Sequence, residues 1–181
     1  MALDPALPRS LNEWVVLALI DESPRHGFSI ARELKQGGTI GEAWTVARPL
    51  VYRAIDHLES IGLIVPTSTE PGEKGAVRTV YSTTQGGRES VARWLARPIA
   101  HPRDVRTDLV AKFVLLARRG LDVAALAGAQ LESFRPTILG LEEKASHATA
   151  EERVVAIWRV ESMRAITRFL EAVADAGARA T

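Results

Sequence analysis

Residues 47–81 read ARPLVYRAIDHLESIGLIVPTSTEPGEKGAVRTVY, and the order of local signals within them decides the fold. Pro49 is a helix-start signal, because a first-turn amide has no intrahelical acceptor and its loss costs nothing. Gly62 is the matching stop. Between them Val51, Ala54, Ile55, Leu58 and Ile61 recur at helical spacing, leaving Tyr52, Arg53, Asp56, His57 and Glu59 for the other side. One face packs and the other is free to be read. The run Leu63 to Thr69 is rich in β-branched residues, with Pro66 pointing to an edge strand. Glu70 to Gly75 is a turn by composition, and Ala76 to Thr83 returns as a second strand. Period-two alternation puts Val77, Thr79 and Tyr81 on one face of it and Arg78 and Val80 on the other.

A helix followed by a basic hairpin is the arrangement of a winged helix-turn-helix, with Lys74 and Arg78 on the wing. The upstream chain supplies the remaining helices. Ser10-Leu11-Asn12-Glu13 is a capping-box pattern that opens a helix apolar on most of its surface, Trp14 to Ile20, and hence central. A second helix is expected from about Gly27 to Gln36, stopped by Gly37-Gly38, with Phe28, Ile30, Ala31 and Leu34 facing inward. Trp44, in the connection that follows, is expected to plug the gap between helices. Thr84 is a candidate cap for a fourth helix running to Leu95.

Arg97-Pro98-Ile99-Ala100-His101-Pro102 ends that helix, because two prolines in five residues cannot continue one. The expected organisation is a winged helix-turn-helix domain over 1–96, a linker over 97–102 and a helical dimerisation domain over 103–181. The fold class is mostly α with a small β-wing. The second half shows no convincing strand. Val105, Leu109, Phe113 and Leu116 mark one helix closed by Gly120. Asp122 can cap a second, which Pro136 either kinks or divides, and a capping box at Thr149–Glu152 opens a third reaching about Ala176. That last helix carries a charged stripe and more than one apolar face, and a second copy of the chain is its simplest partner.

The chain has 181 residues and no cysteine, which excludes disulfides and thiolate metal sites and makes a reducing cytoplasm the default. No apolar run approaches membrane-spanning length, and the opening MALDPALPRS lacks the regions of a secretory signal, so neither export nor membrane insertion is expected. The formal net charge is +1, and residues 1–100 hold 11 basic and 11 acidic side chains. Attraction to phosphate must therefore come from local placement of arginines rather than bulk charge. The histidines at 26, 57, 101 and 147 share no metal-ligand spacing, no cofactor is implied, and no nucleophile, base and acid arrangement suggests an enzyme.

With these residues in place the chain resembles the PadR-like transcriptional regulators. The resemblance rests on Ser23-Pro24-Arg25-His26-Gly27-Phe28, Trp44, Leu50-Val51-Tyr52-Arg53, Leu58-Glu59-Ser60-Ile61-Gly62-Leu63-Ile64 and Val80-Tyr81-Ser82-Thr83-Thr84-Gln85-Gly86-Gly87-Arg88. It covers roughly residues 10–95. It implies a homodimeric repressor that binds a pseudo-palindromic operator in double-stranded DNA, dimerises through its C-terminal helices and is released by a small hydrophobic or aromatic effector. The chain departs from the family at the wing, where Arg78 stands beside Thr79 in place of two adjacent basic residues.

The candidate DNA-binding residues are His26, Arg48, Tyr52, Arg53, His57, Lys74 and Arg78. Tyr52 reads either as a core residue with a wet hydroxyl or as a DNA-facing one. Arg48 and Arg53 suit guanine or phosphate equally, and His26 and His57 suit phosphate or solvent. Trp94 and Trp158 read as core or interface residues, or as plates for an effector. The competing function from another class is a winged-helix protein-interaction adaptor without specific DNA binding.

Overall fold

Ser10 opens helix α1 (Leu11–Glu22) by accepting the Glu13 amide on its hydroxyl at 3.3 Å. The structure, a computed structural model, describes residues 10–38, 40–72 and 76–178. The chain divides into two compact units, Met1–Ala96 and Arg97–Thr181. In the first, Val15 to Ile20 of α1 are all buried, as befits a helix that is apolar on every side and runs through a core. Trp14 adds a face-to-face stack with Trp94, ring centroids 5.3 Å apart, and Trp44 donates its indole N–H to Asn12 Oδ1 at 2.8 Å.

After α1 come a two-residue strand β1 (Arg25–His26) and helix α2 (Gly27–Glu33). Helix α2 ends three residues before Gln36. The Glu33 carbonyl takes the Gly41 amide from the returning connection, so a tertiary hydrogen bond replaces the next helical one. Helix α3 (Arg48–Ser60) carries Pro49 in its first turn and buries Val51, Ala54, Ile55 and Leu58. It stops at Gly62, whose φ of +73° lies in the left-handed region that only glycine enters cheaply.

Strands β2 (Ile64–Pro71) and β3 (Val77–Thr83) form the wing, and β1 pairs with the opposite side of β3, giving the order β1-β3-β2, all antiparallel. The register runs from Ile64 opposite Thr83 to Pro71 opposite Val77, with a bulge between Pro66 and Ser68. Pro66 sits on an edge strand, where its missing N–H is not needed. Helix α4 (Gln85–Ala96) starts as read, with the Gly87 amide on Thr84 Oγ1 at 3.1 Å.

The elements of the second unit are all helical among its described residues. A 3-10 turn (Pro102–Asp104) and a π-helical turn (Val105–Leu109) lead into α5 (Val110–Arg118). Helices α6 (Val123–Ser146) and α7 (Arg153–Ala178) then pack along each other. Asp122 caps α6 through the Ala125 amide at 3.0 Å. Pro136 lies inside α6, which continues past it as one element. Thr149 and Glu152 form the reciprocal capping bonds, at 3.1 and 3.4 Å, just ahead of α7.

The segment read as a linker over 97–102 is tied down at its start. Gln130 is fully buried and bonds both backbone groups of Ile99: its Oε1 accepts the amide at 2.7 Å and its Nε2 donates to the carbonyl at 3.1 Å. Lys112, 2 % exposed, donates from Nζ to the Arg97 carbonyl at 2.9 Å. Arg97 to Ile99 are thus held by α5 and α6, because buried backbone groups without a ladder partner need side-chain ones.

Candidate nucleic-acid interface

The exposed side of α3 and the adjacent wing carry the residues of interest. Arg48, Tyr52 and Arg53 are exposed, while the opposite side of the same helix is buried. Gly27 opens α2 where a Cβ would stand 2.9 Å from Tyr52 Cε1. The missing side chain lets the Tyr52 ring lie against the first turn of α2, with 39 % of the residue still exposed. Tyr52 is neither a core residue nor a free one.

The arginines converge on one ring. Arg48 places its guanidinium 5.4 Å from the Phe28 centroid and 5.6 Å from that of Tyr52, while Arg78 of β3 stands 4.3 Å from Phe28. All three distances lie within the range of cation–π attraction. Phe28, expected on the inward face of α2, is only half-buried and serves as the platform between helix and wing. Its separation from the packing stripe was present in the spacing, since at about 100° per residue Phe28 lies roughly 160° from Ile30 and 120° from Leu34.

Placement distinguishes these arginines, since Arg32, Arg88 and Arg159 likewise have no carboxylate partner among the described residues. Arg25 pairs with Glu33 at 2.8 Å and Arg164 with Glu161 at 2.8 Å, whereas Arg48, Arg53 and Arg78 have no carboxylate partner among the described residues. Burial, followed by the nearby charges of Glu59 and Asp56, pushes the Tyr81 phenol above its ordinary value of 10.0. A cavity of about 200 Å³ between α2, α3 and β3 is lined by Phe28, Tyr52, Asp56, Arg78 and Tyr81 among others.

The two histidines are used structurally. His26 caps α2, its Nδ1 accepting the Ser29 amide at 3.0 Å while Ser29 donates its hydroxyl to the His26 carbonyl at 2.8 Å. Its Nε2 stands 3.7 Å from Glu70 of β2. His57 turns away from the arginine cluster, with Nδ1 3.3 Å from Glu13 of α1. Lys74 lies outside the described residues. Trp94 is buried in the core of the first unit against Trp14.

Trp158 is 68 % exposed on α7. It borders a cleft of about 800 Å³ within the second unit, shared with Arg103, Arg106, Arg159 and Met163. Among the described residues no three His, Asp or Glu side chains gather as a metal would require, and no helix is long and apolar enough to cross a membrane.

Comparison with known proteins finds a likeness over the first unit. Residues 16–93 match the family described as "Transcriptional regulator PadR-like family". The probable transcriptional regulator Rv1176c of Mycobacterium tuberculosis (strain ATCC 25618 / H37Rv) is 29% identical over 122 residues, and the match spans 61% of this chain and 61% of that protein. Among solved structures, Bacillus subtilis PadR in complex with operator DNA superposes at a TM-score of 0.48 with 18% identity, covering 93% of this chain and 98% of that one. The Streptococcus mutans UA159 protein smu.1604c gives 0.43 and 16%, with 88% and 96% covered. Residues 16–93, which run from within α1 into α4, are thus similar to the PadR-like family of transcriptional regulators.

Proposed function

We propose that this chain is a homodimeric repressor that binds a pseudo-palindromic operator in double-stranded DNA and is released by a small aromatic effector, acting in the cytoplasm. The observation that carries the DNA reading is the set of three arginines, Arg48, Arg53 and Arg78, placed on the exposed side of α3 and the wing without carboxylate partners among the described residues. Unneutralised guanidiniums on a protruding helix suit phosphate oxygens and guanine edges. In a first half whose charges balance, attraction for a polyanion must come from such local placement.

Dimerisation is supported by α7. Val154, Ile157 and Trp158 are 75%, 56% and 68% exposed, an apolar strip that a second copy would cover. Two-fold symmetry then calls for half-sites about 34 Å apart, one helical turn of DNA. The effector reading rests on the exposed Trp158 and its cleft, the buried Trp94 having its face taken by Trp14.

The test is a salt series on a labelled duplex selected from a random pool, with wild type and Arg53→Ala. Wild-type affinity should fall steeply and linearly on logarithmic axes. If Arg53 holds a phosphate, the variant's slope should be smaller by about one; if it reads a base, roughly 1–3 kcal/mol of discrimination should vanish at one position. A wild-type chain that binds no duplex, or binds independently of salt, would favour the protein-interaction adaptor.

A further inference from the structure

Phe28 receives two cations from elements far apart in the sequence. Arg48 begins α3 and Arg78 stands on β3, yet both guanidiniums lie over the one ring at 5.4 and 4.3 Å. We propose that Phe28 is a positioning residue for DNA recognition, fixing the guanidinium of the α3 start relative to that of the wing so that the two engage the duplex as one preformed unit. The inference rests on the DNA-binding reading above and names how its two elements are coupled.

Three observations support it. First, Phe28 lies off the packing stripe of α2, where Ile30 and Leu34 are completely buried, and remains half-buried itself, so filling the core does not account for a large aromatic there. Second, neither arginine has a carboxylate to hold it among the described residues. The ring's negative face is therefore their principal restraint, together with the Tyr52 ring that Arg48 also approaches. Third, a ring attracts cations without neutralising them. Two like charges gathered there keep their full demand for an anion, which closely spaced phosphates or the paired acceptors of guanine supply.

The consequence is preorganisation. Ordering a free, rotamer-rich side chain at an interface lowers affinity by roughly two- to twelvefold, so two arginines already held should make binding about tenfold tighter or more. The restraint needs an aromatic face and not merely bulk. Leucine can fill much of the same space but has no quadrupole, while tryptophan offers a stronger one.

The experiment measures duplex affinity for the full chain carrying Phe28→Leu, Phe28→Trp, Arg48→Ala, Arg78→Ala, the double Arg48→Ala/Arg78→Ala and the triple Phe28→Leu/Arg48→Ala/Arg78→Ala, with thermal melting recorded for each. Phe28→Leu should bind about tenfold more weakly at an unchanged melting temperature, and Phe28→Trp should retain near wild-type affinity. The triple variant should bind no more weakly than Arg48→Ala/Arg78→Ala. If both arginine variants weaken binding while Phe28→Leu binds as wild type, the positioning role is overturned and the DNA reading stands. Loss of affinity by Phe28→Leu that persists in full without the arginines also overturns it. A wild-type chain that ignores DNA sinks both readings together. Should Phe28→Leu melt early, Phe28→Met supplies the same comparison with a more adaptable side chain.

Discussion

Gln130→Leu removes the hydrogen bonds that hold Ile99, and the size of the effect follows from what is left behind. The amide bonds at 2.7 and 3.1 Å satisfy the N–H and C=O of a residue that is 5% exposed, from a side chain that is completely buried. Leucine fills nearly the same volume, so the cavity contribution is small and the loss comes from two stranded backbone groups. Each such group costs roughly 1–3 kcal/mol. Because the variant no longer buries a polar amide, the expected total is about 2–4 kcal/mol, a large share of the roughly 5–15 kcal/mol that holds a typical domain. Amide hydrogen exchange resolves this unit by unit. Protected amides of α5 and α6 should exchange roughly 30- to 900-fold faster, with those of Val15 to Ile20 in the first unit unchanged. Exchange in α5 and α6 within about twofold of wild type would refute the reasoning, since water would then be replacing both bonds.

Lys112→Met tests the other clamp. Burial, first, and the nearby Arg97 charge hold the Lys112 ammonium below its ordinary 10.5, against the opposing pull of Asp108. At pH values between its folded and unfolded values the unfolded lysine binds more protons, so wild-type stability should rise as pH climbs toward 10.5, while the methionine variant should lack that rise. Urea midpoints measured over the alkaline range check the sign. Trp158→Glu places a charge on the exposed strip of α7 and should shift the sedimentation profile from dimer to monomer while leaving helix content intact. A variant that remains dimeric at every concentration would remove α7 from the interface.

How much of this was legible in the sequence depended on whether the signal was local. The α3 helix and the β2–β3 hairpin could be read because apolar spacing, Pro49, Gly62 and the turn residues all lie within one window, and Thr84 and Asp122 announced their helices by capping. Pro66 likewise marked an edge strand. The early end of α2 could not be read, because the Glu33 carbonyl is claimed by Gly41 from a later turn. Strand β1 has only two residues, and its existence depends on pairing with Tyr81 and Val80. His57 joined the exposed side by spacing, but the carboxylate that draws it inward, Glu13, belongs to another helix. Gln130 carried no signal at all, since its partner is the backbone of Ile99.

The arrangement of the three-stranded sheet bears on how the protein behaves in company. β1 covers β3 only at Val80 and Tyr81, so the sheet's full-length open edge is β2, and unpaired edges are templates on which other chains can add strands. That edge is interrupted where such addition would begin: Pro66 has no amide to offer, the bulge before Ser68 breaks the repeat, and Pro71 closes the far end. Neighbouring copies that meet along β2 would thus find no continuous ladder to extend, which disfavours a shared sheet at that edge.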